Sequence, residues 1–288
     1  MRDYVIYTDS GCDLSPAQLA KWDVFSKNLT FRFDGEDKEY ENGEMDIKNF
    51  YDKMREGGVA KTAAINKETF AMAFHNVLSE GKDILYLGFS SGLSTTYNSA
   101  RLAAKELKEA FPEAKIITVD TLAASAGQGL LVYLAKKKKD EGADIEQCAA
   151  YIENIRLNMC HWFTVDNLVY LKRGGRVSST AAFFGNALGI KPVMHVDNEG
   201  HLVNVLKVRG RRTAISTMAD KLGETALDLK QGEIYISHGD CIEDAKLLSD
   251  MLEDKFGCTV NLITDVGPVI GAHSGPGTLA LFFLGNER

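Results

Sequence analysis

Short apolar runs alternate with amphipathic stretches along the first half of the chain. Tyr4 to Tyr7 is a β-rich run halted by Thr8-Asp9-Ser10-Gly11, and a helix is expected near Ser15, with Pro16 at its first position. The order recurs. Ile84 to Phe89 reads as a buried strand, Ser90 to Thr96 as a polar turn and Tyr97 to Phe111 as an amphipathic helix. Ile116 to Val119 repeats the unit and leads through Asp120-Thr121 into a helix around Gly127 to Lys139. Strand and helix alternating in this way predict a mainly parallel sheet covered by helices, with functional loops at the carboxyl ends of the strands.

Between the first two units the polar stretch Asp34 to Glu44, a helical pattern from Ile47 to Arg55 and a Gly57-Gly58 break read as an excursion from that sheet. After about residue 157 the pattern changes. Lys172 to Arg176 is a basic turn, Val193 to Val208 a hairpin around Asn198-Glu199-Gly200, and Ile234 to Ser237 and Val260 to Thr264 are further strands. The expected architecture is α/β with two α/β domains, residues 1–157 and 158–288. A length of 288 residues suits that division, because single cores stop growing at roughly 250 to 300 residues.

Charge and cysteine usage narrow the function. A net charge of -7 argues against general nucleic-acid binding, which needs a basic face. Five scattered cysteines, Cys12, Cys148, Cys160, Cys241 and Cys258, form no C-x-x-C pair, and neither they nor the six histidines offer a zinc spacing, so no metal is expected. The opening residues turn acidic too soon for a signal peptide, and no apolar run reaches membrane-spanning length. A cytoplasmic location without a transmembrane segment is expected.

Three segments carry candidate chemistry. Ser90 to Tyr97 puts five Ser and Thr hydroxyls between a strand and a helix start, which fits either a helix cap or a site for a carboxylate or phosphate. Gly88-Phe89-Ser90-Ser91-Gly92 also matches the G-x-S-x-G nucleophile elbow, so a serine hydrolase using Ser90, with Asp240 or Asp265 and then His273, is the rival reading. An HGGG-type oxyanion loop is missing upstream. The Gly- and Pro-rich Gly267 to Gly277 surrounds His273 and Ser274 and is expected to be a loop holding backbone close to a ligand. Gly127-Gln128-Gly129 lacks the third glycine of a dinucleotide fingerprint, and no phosphate-binding G-x-x-x-x-G-K-[ST] loop occurs, so no nucleotide cofactor is expected.

Taken in order, five of these segments resemble the DegV family, the acyl-carrying subunits of the bacterial fatty acid kinase system. Thr8 to Leu14 is similar to the family's T-D-S-x-x-D-L, Ser90 to Tyr97 to S-S-x-L-S-G-T-Y, and Asp120 to Gly129 to D-x-x-x-A-S-x-G-Q-G. Leu171 to Ser178 resembles L-K-[KR]-G-G-R-[IV]-S, and Gly267 to Gly277 resembles G-P-x-[IV]-G-x-H-x-G-P-G. Two departures stand out. Thr62-Ala63-Ala64 replaces the frequent T-S-Q, and Thr95 replaces the usual glycine.

The resemblance implies a non-catalytic protein whose two α/β domains enclose a long-chain fatty acid between and within them. It places the carboxylate contacts at Thr62, Ser94, His273 and Ser274. It implies as partners a kinase subunit that phosphorylates the bound fatty acid and an acyltransferase that uses the acyl-phosphate in phospholipid synthesis. Arg173 would belong to the surface that meets the kinase. A regulatory lipid sensor would fit the same residues. Apolar wall material is expected in Ala181 to Phe184 with Ala187-Leu188, and in Leu279 to Leu284, although ordinary core would read the same way. Lys172, Arg173 and Arg176 form one basic group, and Lys207, Arg209, Arg211 and Arg212 a second, either of which suits an acidic partner or plain solvation.

Overall fold

In the computed structural model, residues 2–177 and 189–288 are described. The expected apolar runs Ala181 to Phe184 and Ala187-Leu188, and Ser178 of the basic motif, lie outside them. Four parallel strands form the first sheet in the order β2-β1-β6-β7, where β1 is Tyr4–Asp9, β2 Val24–Lys27, β6 Asp83–Gly88 and β7 Ile116–Asp120. Every residue of β1 and β6 is buried, as both faces of a helix-covered parallel sheet must be. Successive side chains divide between two cores. Val5, Tyr7, Ile84 and Tyr86 face helices α3 (Lys67–Ser79) and α4 (Thr96–Ala110), whereas Ile6, Leu85 and Leu87 face α5 (Ser125–Asp140) and α6 (Ile145–Ile155).

The second sheet has the order β10-β9-β8-β13-β11-β12 and is antiparallel apart from the β11–β12 pair. Its strands are β8 (Met159–Thr164), β9 (Ile190–Val196), β10 (Leu202–Arg209), β11 (Tyr235–His238), β12 (Leu262–Asp265) and β13 (Leu279–Leu284). One face, with Phe163, Met194, Tyr235, Ala280 and Phe282, joins the core around α5. The opposite face, with Trp162, Val193, Ile236, Leu281 and Phe283, packs on α8 (Arg211–Thr225) and α9 (Ile242–Phe256). Helix α5 is thus sandwiched between the two sheets, and this α/β architecture has two units whose facing surfaces share one core.

Local chemistry explains the better-read boundaries. Ser15 and Gln18 form a capping box at the start of α1 (Pro16–Lys21), with Pro16 in the first turn. Asp46 caps α2 (Ile47–Arg55) by accepting from the Asn49 amide. The excursion is a three-stranded antiparallel sheet, β4-β3-β5, with β3 at Thr30–Phe33, β4 at Tyr40–Glu41 and β5 at Ala60–Ala63. Two expectations change. Within the presumed loop Gly267 to Gly277, residues Pro268–Ser274 form a helix, α10, because Pro268 suits a first helical turn. The run Leu279 to Leu284 is one strand whose alternate residues serve different ends: Leu279, Leu281 and Phe283 are core, while Ala280 and Phe282 line a cavity.

Candidate functional site

A cavity of about 540 Å³ lies where the inner face of the second sheet meets the loops after β6 and β7, with β5 and α10 along its side. That volume is in the range of small-molecule sites, and apolar side chains dominate the wall: Leu29, Phe89, Leu93, Phe163, Val269 and Phe282 among them. Exposed Ala63, Ala64, Ser91 and Thr95 mark its solvent side. The site therefore draws on the carboxyl ends of parallel strands, as α/β sheets commonly arrange it.

All four predicted head-group residues line this cavity. Thr62 on β5 and His273 on α10 meet directly, with Oγ1 and Nε2 2.7 Å apart. The excursion brings them together by packing against α10, a contact held by the Tyr51 hydroxyl, which donates to the Val266 carbonyl at 2.7 Å. Ser94 does two jobs. Its Oγ accepts from the Thr96 amide at 3.2 Å, at the first residue of α4, and lies 2.9 Å from Thr96 Oγ1 while lining the cavity. Ser274 is buried, and its Oγ has no hydrogen-bond partner among the described residues. An orphaned buried hydroxyl costs about 1–3 kcal/mol, a cost that a ligand oxygen would relieve.

His273 is held neutral. Burial first, and the neighbouring Arg176 cation second, bring its pKa down to about 4. At neutral pH the ring offers one donor and one acceptor without a full charge. Helix α7 (Val169–Arg173) ends against this ring. A Cβ at position 174 would collide with His273 Nδ1, so glycine is required there by close approach.

Arg176 is the residue that the sequence misplaced. Grouped by its neighbours with a surface turn, it instead lines the cavity, where its guanidinium donates to the Leu93 carbonyl at 3.2 Å and to the Gly174 carbonyl. Burial lowers its pKa from the usual value. Chain order carried no signal for this, because the turn that points Arg176 inward follows from α7 docking on α10. Arg173 is exposed, its guanidinium 5.8 Å from the Tyr170 ring centre, one residue from the glycine that abuts His273. In the second basic group Arg211 is committed internally, pairing with Asp244 at 2.9 Å, while Arg209 and Arg212 are exposed.

The Ser90 nucleophile reading fails on geometry. Ser90 is fully buried outside the cavity lining, and its Oγ donates to the Gly200 carbonyl at 2.9 Å and accepts from the Gly92 amide. Its proposed partners are engaged elsewhere: His273 with Thr62, the Asp240 carboxylate with Arg55, and Asp265 with His238 at 3.6 Å. Ser90 latches the β9–β10 hairpin onto the hydroxyl-rich loop. Gly92 permits this contact, since a Cβ there would lie 2.7 Å from the Glu199 carbonyl oxygen.

Deeper in the cavity lies a polar set that the sequence did not single out as a site. Buried Ser125, at the start of α5, donates to Asp13 Oδ2 at 2.5 Å and lies 2.9 Å from Ser237 Oγ on β11. His161 on β8 places Nδ1 2.9 Å from the Met159 carbonyl and accepts weakly from the Ala124 amide at 3.4 Å. Burial holds its pKa well below the usual value, so it too is neutral. Among the described residues no group of His, Cys, Asp and Glu is arranged to hold a metal ion.

Fold and site together define an α/β protein of two units that encloses an apolar cavity edged by hydroxyls and a neutral imidazole. The chain belongs to the DegV family: the model of that family, described as one of uncharacterised proteins, matches residues 3–286. It is 42% identical over 289 residues to a DegV domain-containing protein of Clostridium perfringens, covering 100% of this chain and 99% of that one. It is 34% identical over 279 residues to a Thermotoga maritima protein named a fatty acid-binding protein, covering 95% of each. The solved structure of a DegV family protein from Thermus thermophilus, described for its fatty acid binding, matches with a TM-score of 0.88 at 30% identity, covering 99% of this chain and 100% of that one.

Proposed function

We propose that this protein binds a long-chain fatty acid, encloses its acyl chain in the cavity and holds its carboxylate with Thr62, Ser94, His273 and Ser274. One observation carries the reading: an apolar cavity of about 540 Å³ has at one end the Thr62–His273 pair and the orphaned Ser274 hydroxyl. Burial of methylenes at about 0.8 kcal/mol each supplies ~10 kcal/mol gross for a long chain, before the costs of binding. The head group then needs orientation more than attraction, which suits hydroxyls and a neutral imidazole. The fatty acid binding described for the Thermotoga maritima and Thermus thermophilus relatives supports the same ligand class.

Under this reading the chain is a non-catalytic cytoplasmic carrier, its two units dividing near residue 157. A separate kinase subunit phosphorylates the presented carboxylate, and an acyltransferase consumes the acyl-phosphate in phospholipid synthesis. Arg173, exposed beside the His273 end, is the residue assigned to kinase docking. Mass spectrometry of an organic extract of the protein purified from cells tests the ligand assignment. A fatty acid at near one-to-one stoichiometry is expected, and a protein that neither carries nor takes up fatty acid overturns it.

A further inference from the structure

Helix α10 carries both His273 and Ser274, and its start is fixed by side chains of the other unit. The Val269 amide lies in its first turn, where backbone donors have no partner within the helix, and it donates to Asn42 Oδ1 at 3.0 Å. Asn42 is itself tied down. Its Nδ2 donates to the Ser10 carbonyl at 3.1 Å, just after β1, and its amide donates to the Leu29 carbonyl at 2.9 Å, just before β3. Asp13 adds a second tie by accepting from the Gly267 amide at 3.0 Å. A Cβ at position 267 would stand 2.7 Å from Asp13 Oδ1 and 2.9 Å from Asn42 Nδ2, so the helix start is seated against both.

The same small sheet reaches the other end of the helix. Asn42 directly follows β4, and Thr62 lies on β5, with Tyr40 and Thr62 paired to Phe31 from opposite sides. Two strand spacings separate β4 from β5 by about 10 Å. Val269 and His273, four residues apart, lie one above the other on one helix face with a rise of about 6 Å, and the imidazole spans the rest to Thr62. Ile270 and Ser274 are related by the same step, and all four residues line the cavity. The sheet therefore grips α10 at both ends, through Asn42 at the first turn and Thr62 at the last. Freeing the first turn lets the helix tilt, and the side chains of its last turn move with it.

We propose that Asn42 is a positioning residue for the head-group site: by holding the Val269 amide it sets the tilt of α10 and so aims His273 at the ligand carboxylate. The proposal rests on the fatty acid reading of the cavity and adds to it a residue outside the cavity lining. Asn42 acts through His273, so its effect falls on the charged head of the ligand and leaves burial of the acyl chain unchanged. A hydrogen bond that is lengthened or misaligned loses part of its worth, which places the expected loss below that of removing His273 itself.

The test compares octadecanoic acid with octadecan-1-ol, which has the same chain and a neutral head, on delipidated protein. Asn42→Ala should weaken the acid about three- to tenfold and the alcohol less than about twofold, because bonds to a charged head are the stronger ones. In a His273→Ala background most of that loss should disappear. Asn42→Asp keeps the acceptor for the Val269 amide and, at pH 6, below the Asp13 pKa of about 7, should hold the parent's preference within about threefold. Asn42→Ser, with its shorter reach, gives the same contrast as alanine where the alanine variant does not fold. In the empty protein the His273 imidazole resonances should move in Asn42→Ala while those of His75, exposed on α3, stay. Equal weakening of acid and alcohol overturns the proposal, as does an undiminished loss in the His273→Ala background or a preference lost as fully in Asn42→Asp as in Asn42→Ala. No binding of octadecanoic acid to the parent overturns the fatty acid reading and this one together, whereas a parent that binds and an Asn42→Ala variant that matches it overturn this one alone.

Discussion

Thr62 and His273 stand 211 positions apart in the chain, yet Thr62 Oγ1 lies 2.7 Å from His273 Nε2. One belongs to an antiparallel excursion from the first sheet and the other to a seven-residue helix of the second unit. Their hydrogen bond joins the two units at one end of the cavity, where the proposed carboxylate contacts lie, so under that proposal ligand orientation and unit packing would depend on the same pair.

Removing either of two head-group contacts should weaken fatty acid binding without emptying the cavity. His273→Ala and Ser94→Ala are each expected to raise the Kd about ten- to a hundredfold, the effect of losing a directed bond to a charged group worth roughly 1.5–3 kcal/mol. Ser94→Ala should also lower stability by about 1 kcal/mol, because its Oγ accepts from the Thr96 amide, a donor at the start of α4 that has no partner within the helix. Titration calorimetry and urea unfolding read the two effects separately. Parent-like affinity in both variants would exclude these side chains from the head-group site.

The His273 ring should titrate near 4 in the empty protein and higher once a carboxylate occupies the site. Its folded pKa is depressed from 6.5, so the unfolded chain takes up a proton first and stability falls as pH drops from about 6.5 toward 4. Binding of an anion shifts the midpoint upward, and by linkage affinity for the ionised fatty acid increases as pH falls through that midpoint. NMR of the imidazole resonances with and without ligand measures both values. An empty-state midpoint near 6.5 would contradict the buried neutral ring.

Asp13 predicts a pH dependence of the opposite sign. Burial raises its pKa to about 7 despite the Ser125 and Gly267 hydrogen bonds. Its stabilising contribution is fully present below the unfolded value near 4 and is lost as pH rises through about 7. Asp13→Asn keeps an acceptor for the Gly267 amide, offers a donor to Ser125, and suits the left-handed backbone at φ 50°. Denaturant unfolding across pH 4 to 8 should lose its Asp13-dependent slope in this variant, leaving it more stable than the parent at pH 8 by a few kcal/mol. An unchanged slope would show that Asp13 ionises freely in the fold.

The docking role proposed for Arg173 is separable from binding. Arg173→Ala should leave fatty acid affinity within about twofold, because the guanidinium is exposed outside the cavity lining, yet slow phosphorylation by the kinase subunit. The defect should shrink as salt rises, since an exposed electrostatic contact is screened within about 10 Å at 0.1 M ionic strength. Equal phosphorylation rates across a salt series would remove Arg173 from the docking surface. A parallel loss of lipid binding would move it into the site.

Much of the fold was legible in the sequence because its signals are local. Ser15-Pro16 announced α1, the apolar runs at Tyr4 and Ile84 announced strands buried on both faces, and the α2 pattern matched its helix from Ile47 to Arg55. Strand β8 escaped notice: Met159–Thr164 mixes sulfur, imidazole, indole and hydroxyl groups, and it is a strand because β9 and β13 pair with it on either side while α5 and α8 cover its two faces, burying all six residues. The four residues proposed for the head group were named through motif resemblance, and each lines the cavity; their joint placement required the fold. What the tertiary structure alone decided is which polar groups are already spent. Ser90 and Ser94 lie in one hydroxyl-rich loop, yet Ser90 is tied to the Gly200 carbonyl while Ser94 faces the cavity. Arg176 turns inward although Arg173, three residues earlier, turns out. Hydrophobic period and capping are written within a few residues of each other, whereas burial and hydrogen-bond satisfaction depend on segments brought in from far along the chain, 83 positions for Arg176 and Leu93 and 110 for Ser90 and Gly200.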